Sequence, residues 1–434
     1  MTDKTHKHAD FSALSQQIDP QWIAHALAVT GKASVRRRKL PAEQVVWLVI
    51  ALAMYRHESI AQVVAHLDLV LPDEVNPEIA KSALTPSRQR LGEEPLAQLF
   101  TLCAQSWDER HQQHPGRRWR GLNCYAIDGS TLRTSDTADN RGHFGAQVYA
   151  SGVQSSYPQV RLLTLTALAT HLVRHAVFGE YGKNEMRYAS ELLQAVPNHS
   201  LTVMDKGFLS ADLLLQLHQT GVERHWLIPA KINSQWERLD AHPNDYRVRM
   251  KVSPQARKAN PELPMYWQAR AIETLPRHGK RRILLTSLLD AKAWPAHEIA
   301  QQYQQRWRIE TSYRELKQDM LGEGLTLRSG TPKTVRQEIW GALLAYNLVR
   351  LEMAEVAREV GVPPTQLSFT MALHYLRYEW SWMAGSSAGT LPARLRRMRE
   401  RLGELLHPQK RRERECPRVV KKPPARYPIR QVRA

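Results

Sequence analysis

The stretch Cys124-Tyr125-Ala126-Ile127-Asp128-Gly129-Ser130 decides how the rest of the chain is read. Its first four residues predict a buried strand, and an aspartate followed by glycine and serine puts a carboxylate where that strand opens into a turn. The arrangement recurs, because Leu201-Thr202-Val203-Met204 leads into Asp205-Lys206-Gly207-Phe208. The C-terminal ends of strands are where α/β sheets gather their ligands. If the two strands are neighbours, their carboxylates converge and repel unless cations fill the gap, and Mg²⁺ suits such an oxygen-rich, partly hydrated site. Each aspartate taken alone also reads as an ordinary turn residue, since Asp-Gly and Asp-Lys-Gly are common turn sequences. Asp136 and Asp139 compete for the first position, but 134–141 has the polar composition of a loop, with no strand to aim them.

Outward from these acids, 122–127, 159–169, 173–178 and 201–204 read as strands, and 186–196 has helical spacing up to Pro197, giving a mixed α/β region. From about 222 to 289 the chain is strand-rich, with runs at 226–228, 246–252, 265–272 and 281–288, which reads as a β insertion. Residues up to about 115 are helical: Val45, Val46, Leu48, Val49, Leu52 and Ala53 recur behind Pro41, and Ile60, Val63, Val64 and Leu67 continue the pattern. Helix returns at 296–320 and 335–355.

The chain has 434 residues, too many for a single core, and its 61 Lys plus Arg against 42 Asp plus Glu leave a net charge of +19. That field favours a polyanion, nucleic acid ahead of a membrane surface. The apolar run 45–55 is only eleven residues where a spanning helix needs ~20. No apolar signal region follows Met1, so a cytoplasmic protein without membrane contact is expected. Cys103, Cys124 and Cys416 form no disulfide framework or cysteine zinc site. His171 and His175 have zinc spacing for a helix, but their flanks read as strand and turn.

Arg36, Arg37, Arg38 and Lys39 precede the first long helix, and Arg88 and Arg90, following Pro86, would open a helix able to enter a DNA groove. A solvated basic face on an ordinary bundle is the alternative. Residues 394–434 hold 15 Lys or Arg against 4 Glu, 15 − 4 = +11, with five prolines, and read as an extended basic arm able to lie along phosphates.

A third acid lies in Tyr303-Gln304-Gln305-Arg306-Trp307-Arg308-Ile309-Glu310, followed by Lys317. On a continuous helix turning ~100° per residue, Tyr303, Arg306, Glu310 and Lys317 share one stripe about 60° wide, and Glu315 lies roughly 140° from Glu310. A stripe with one acid among cations and a phenol offers a metal ligand beside phosphate grips. A solvated face with Arg306 and Arg314 pairing Glu310 is the plain alternative.

The Y-x2-R-x3-E-x6-K pattern at Tyr303, Arg306, Glu310 and Lys317, with Asp128-Gly129 and Asp205-Lys206-Gly207-Phe208 upstream, resembles the signature of DDE transposases of the insertion sequence 4 family. The likeness extends through 88–92, 253–258, 325–329, 343–350 and 417–421. It implies an α/β, RNase H-like catalytic core, a mixed sheet with flanking helices, in which Asp128, Asp205 and Glu310 bind two Mg²⁺ ions, with Mn²⁺ able to substitute. The organisation expected is a helical N-terminal DNA-binding domain (1–115), the first part of the core (116–221), a β-rich insertion domain (222–292), the second part of the core with C-terminal helices (293–390) and a basic arm (391–434).

The resemblance further implies binding of terminal inverted repeats, strand cleavage and transfer to target DNA by a cut-and-paste route through a hairpin, and a homodimer on double-stranded DNA. Tyr303, Arg306 and Lys317 would hold phosphates around a flipped base, and a tryptophan between the second and third acids would stack on it. Trp226, Trp236, Trp267 and Trp294 are the candidates for that role, and Trp294 is favoured by its nearness to Tyr303. Two other functions compete: a non-catalytic DNA-binding regulator and an RNase H-like nuclease. The acids argue against a mere binder, since carboxylates at a phosphate surface repel DNA unless a cation intervenes.

Overall fold

The computed structural model describes residues 17–33, 40–66, 81–112, 117–149, 152–275, 281–322, 326–384 and 389–407. Arg36 to Lys39 and the basic stretch from 408 onward lie outside them. Helices α1 (Pro20–Val29), α2 (Ala42–Met54), α3 (Ile60–His66), α4 (Lys81–Leu91) and α5 (Glu94–Gln112) come first. Asp19 starts α1 by accepting from the Gln21 N–H, with Pro20 at a position where its missing donor is not needed. Helix α4 begins before Pro86 and carries that proline inside it, so the expected helix start after Pro86 is corrected.

The sheet comprises β1 (Asn123–Thr134), β2 (Gln159–Ala167), β3 (Val173–Glu180), β4 (Ser200–Met204), β5 (Arg224–Pro229), β6 (Glu237–Arg238), β7 (Asp245–Lys251), β8 (Tyr266–Thr274) and β9 (Arg282–Thr286), in the order β3-β2-β1-β4-β5-β9-β8-β7-β6. β1, β4 and β5 are parallel and the other pairings along this path are antiparallel. A short β10 (Thr326–Leu327) joins β1 in parallel at Arg133 and Thr134. The β-rich stretch is therefore no detached module: β9 hydrogen-bonds to β5, which pairs with β4, and a single sheet runs through core and insertion.

The pleat sorts β1 side chains onto two faces. Ala126 belongs to one core, Tyr125 and Ile127 to the other. The second core is covered by α7 (Glu185–Leu192) and α8 (Ala211–Gln219), with α9 (Pro254–Ala259) beside the hairpins. The first lies under α5, α10 (Ala296–Gln304), α11 (Trp307–Arg314) and α12 (Pro332–Glu359), with α6 (Ala138–Phe144), α13 (Phe369–Ala384) and α14 (Leu391–Gly403) at its rim. Helix α6, capped by the Thr137 hydroxyl, occupies part of the expected 134–141 loop.

That first core is continuous from Ile18 to Leu402. A boundary at 115 therefore cuts through packed helices. α2 meets α12 so closely that a Cβ on Gly341 would stand 2.7 Å from Val49 Cγ1 and 2.9 Å from the Val49 carbonyl oxygen. The basic arm needs correction as well. Pro392 lies in the first turn of α14, whose Leu395, Met398 and Leu402 are buried, so 391–403 is an amphipathic helix packed on α12 and α13. The helix expected at 296–320 is broken: at Gln305 and Arg306 the bonds tighten, with Arg306 N–H donating to Tyr303 O and Arg308 N–H to Gln305 O, and 315–320 forms a π-helical turn.

Candidate active site

Asp128 does not end its strand. β1 continues through Gly129 and Ser130 to Thr134, paired with β2 throughout, and Asp128 sits opposite Thr164. The strand that ends is the neighbour on the other side, since β4 stops at Met204 opposite Ile127 and β10 resumes that edge only at Arg133. The notch left along β1 opens at Asp128, and Asp205 stands at its lip as the residue after Met204. The Asp128 carboxylate accepts from the Gly129 N–H at 2.8 Å. Its backbone carbonyl accepts from the Tyr313 hydroxyl at 2.6 Å, and that hydroxyl lies 3.0 Å from Thr164 Oγ1. Asp205 accepts from the Gly207 N–H at 2.5 Å. Any side chain at Gly207 would put a Cβ 2.7 Å from the Asp205 carboxylate oxygen, so that carboxylate would have to shift.

The broken helix brings the third acid in. Arg306, at the junction of α10 and α11, lies 3.6 Å from Asp128 Oδ2 and donates to Glu310 Oε1 at 2.7 Å. Lys317 Nζ donates to Ser130 Oγ at 3.1 Å, so the π-helical turn reaches the same strand. Tyr303 is buried beside Arg306, with the Arg282 guanidinium 5.4 Å from the centre of its ring. Burial pushes the Asp128 carboxyl up to about 6, with the charges of Asp205 and Glu310 adding to the rise and the Gly129 N–H and Arg306 opposing it. Asp128 is thus within electrostatic reach of both other acids.

A hard, all-carboxylate donor set fits Mg²⁺. Among the described residues, however, no group of three or more His, Cys, Asp or Glu side chains is gathered closely enough to hold a metal ion. The Arg306 guanidinium is the cation that bridges Asp128 and Glu310 in this conformation.

The family profile for the insertion element 4 transposase N-terminal region matches residues 8–101, and that for the transposase DDE domain matches 119–348. The InsG transposase of insertion sequence element IS4 from Escherichia coli K12 is 40% identical over 419 residues, covering 96% of this chain and 93% of its own. The chain belongs to the DDE transposases of the insertion sequence 4 family. A putative transposase of the same organism, InsZ, is 37% identical over 227 residues, 52% of this transposase and 74% of its own length. The piggyBac transposase in a synaptic complex with hairpin DNA aligns over 95% of this transposase and 88% of that chain, with a TM-score of 0.45 and 13% identity, too distant a likeness to argue from. As a DDE transposase the protein is a phosphoryl-transfer enzyme that acts on DNA, which sets aside the non-catalytic regulator. Among the described residues no helix is long and apolar enough to cross a membrane.

Not every residue expected at the transposase's site is free to serve it. The Trp294 ring packs at a tilt against Trp119, centroids 5.1 Å apart, and its centroid lies 6.2 Å from that of His225. Trp226 and Trp267 are buried against each other, and Trp236 packs on the same core. Arg88 points inward: its Nε donates to Gln337 Oε1 at 3.0 Å and its Nη2 to Ser329 Oγ at 3.4 Å, tying α4 to α12. Arg90 is exposed and donates to Ser87 Oγ at 2.7 Å. His171 lies in a turn with φ +62° and His175 in β3, so the two do not share a helix.

Two features are not among the residues expected from the sequence. Trp307, which directly follows Arg306, is 66% exposed with the guanidinium 6.0 Å from its ring centre. Its place inside the Tyr303–Glu310 motif, next to Arg306, is the signal that could have singled it out. Glu315 is buried, joined to Arg350, and accepts from the Tyr346 hydroxyl at 2.9 Å. The helical arithmetic separates it from Glu310 but does not reveal its partner.

Proposed function

We propose that this transposase cuts and rejoins DNA at the terminal inverted repeats of its own element, acting as a dimer by a cut-and-paste route through a hairpin, with two divalent cations, Mg²⁺ foremost, held by Asp128, Asp205 and Glu310. The observation that carries this reading is the notch beside β1, where Asp128 and Asp205 flank the end of β4 and Arg306 joins Asp128 to Glu310. The strand order β3-β2-β1-β4-β5 around that notch supports an RNase H-like core, with the further hairpins inserted after β5.

A phosphodiester resists attack because its anionic oxygens repel nucleophiles. When bound, the cations supply activation of the attacking oxygen and stabilisation of the leaving one. The protein's own share is positioning and charge. Arg306 balances the charge of Asp128 and Glu310, and where those acids would hold cations its planar fork would be available to a phosphate. Lys317, held on Ser130, presents a second positive charge at the same opening. Trp307, exposed beside Arg306, is the aromatic face placed to stack on a base taken out of the helix.

Stacking of that kind is worth ~1–3 kcal/mol per base. Trp307→Ala should therefore slow hairpin formation by roughly 10- to 100-fold while leaving first-strand nicking near the native rate. Trp294→Phe, a change inside the packing, should alter neither step, and end-labelled products on a denaturing gel separate the two. The function itself is tested by incubating the full chain with linear DNA bearing candidate ends and Mg²⁺, beside Asp205→Ala. The native chain should cleave and transfer strands and the variant should bind without cleaving. Equal cleavage by both would remove Asp205 from the site, and cleavage without strand transfer would favour the nuclease.

A further inference from the structure

On the other flank of the catalytic helix from Glu310 lies a cleft of about 580 Å³, floored by Cys124 and walled by Arg117, Arg118, Arg308 and Arg358. Gln305 completes the wall nearest the helix break, and among the described residues no acid lines it. We propose that this arginine-walled cleft is a second DNA-phosphate site, gripping the backbone of the same DNA that enters the notch at Asp128. The inference rests on the reading of the protein as a DNA-cutting transposase and adds to it a binding site apart from the acids.

The first ground is charge. Four arginines line one cleft, and Glu355, which accepts from Arg358 Nε at 3.2 Å, is an acid beside them. Backbone carbonyls fix three of the four in place: Arg117 Nη2 donates to Ala354 O at 3.3 Å, Arg118 Nε to Gln112 O at 2.9 Å and Arg308 Nη1 to Leu168 O at 3.0 Å. Burial depresses Arg117, with the Glu355 charge opposing the fall and the Arg358 charge adding to it. A fixed cluster of this kind is stabilised by a polyanion, and phosphates match the guanidinium fork in two-point contacts. Arg118 and Arg358 are exposed at the mouth, whereas Arg117 and Arg308 stand deeper.

The second ground is position. Cys124 and Asp128 lie on the same face of β1, four residues and so roughly 14 Å apart at ~3.4 Å per residue. Arg308 is two residues from Arg306 and from Glu310, so one short helix has the acids on one flank and the cleft on the other. A DNA backbone held in the cleft is a few nucleotides from the reacting phosphate. A free inorganic anion would gain nothing from that alignment.

The test is equilibrium binding of the full chain to a linear duplex carrying an element end, over a series of salt concentrations. Removing one arginine–phosphate pair should reduce the slope of log K against log salt by ~0.9, so Arg118→Ala/Arg358→Ala should flatten it by about 1.8. Arg187→Ala removes an exposed arginine from α7, on the opposite face of the sheet, and should change the slope by less. As a check that does not depend on affinity, Arg118→Cys should cross-link by thiol–disulfide exchange to duplex DNA whose backbone tether ends in an activated mixed disulfide, releasing the activating thiol, and Arg187→Cys should not. An unchanged slope in the double variant, an equal effect of Arg187→Ala, or no adduct at position 118 would overturn the cleft while leaving the transposase reading intact. Failure of the native chain to bind DNA at all would overturn both.

Discussion

The Glu310→Gln transposase should bind an element end about as tightly as the native chain and cleave it on the order of 10³-fold more slowly, because cation-assisted charge stabilisation is worth several kcal/mol and each ~1.4 kcal/mol is tenfold in rate. Glutamine keeps the side chain's length and removes the charge. Arg306 then has Asp128 as its acidic partner of the pair it bridges here, so the site becomes more positive and DNA binding does not suffer. Asp128→Asn should give a loss of the same order, and the two changes together should cost little more than either alone, as expected of groups acting as a unit. Titration with Mn²⁺ followed by electron paramagnetic resonance gives a reading independent of turnover: both single variants should bind the ion at least about tenfold more weakly, in line with the effect of losing even a supporting group around a metal. Full cleavage by Glu310→Gln would remove the third acid from the site.

Arg350→Met should destabilise the fold by about 3–5 kcal/mol, the usual result of stranding a buried charge. Arg350 is 1% exposed and paired with Glu315, which is 3% exposed, and donates to His171 Nδ1 at 2.8 Å. His171 is best described as neutral. Burial and the Arg350 charge push it down to about 4, so its Nδ1 accepts from Arg350 and its contact with Glu315 is not an ion pair. Burial alone would raise Glu315, but the Arg350 charge and the surrounding hydrogen bonds hold it at about 2. Both folded-state values lie below the ordinary 6.5 and 4.5, so the unfolded chain takes up protons first. Stability present at neutral pH should fall from about pH 6.5 toward 4 through His171, and from about 4.5 toward 2 through Glu315. Urea midpoints at a series of pH values test this. Arg350→Met/Glu315→Met should recover much of the loss seen in the single variant, and a double variant no better than the single one would show that the pair is not what holds this region.

The strands leading to both acids are legible in the sequence because buried strands are continuous apolar runs, as at 124–127 and 201–204. The extended run beyond Asp128 is not, because Gly129 and Ser130 have turn chemistry and only pairing with Leu163 and Leu162 of β2 keeps them extended. The break at Arg306 has no proline or glycine to mark it, and the stripe drawn on an unbroken helix still groups the residues whose side chains meet near β1. Helix α14 is hidden when its residues are averaged with the proline-rich stretch beyond, although Leu395, Met398 and Leu402 carry a helical period. The inward turn of Arg88 and the ring partner of Trp294 depend on α12 and Trp119, distant in sequence, which no local pattern reveals.

The core shared by the first helices and α12 bears on how the enzyme is made. Gln17 donates to Glu352 across 335 residues at 2.6 Å, and Arg56 pairs with Glu338 at 2.8 Å. Nine of the thirteen residues of α2 are buried, and α12 is the element packed most extensively against it. A nascent chain thus leaves the ribosome with its most apolar helix uncovered and must wait for some three hundred further residues before the matching surface emerges. A message cut short before α12 should yield fragments that expose the apolar face of α2 and are prone to aggregate.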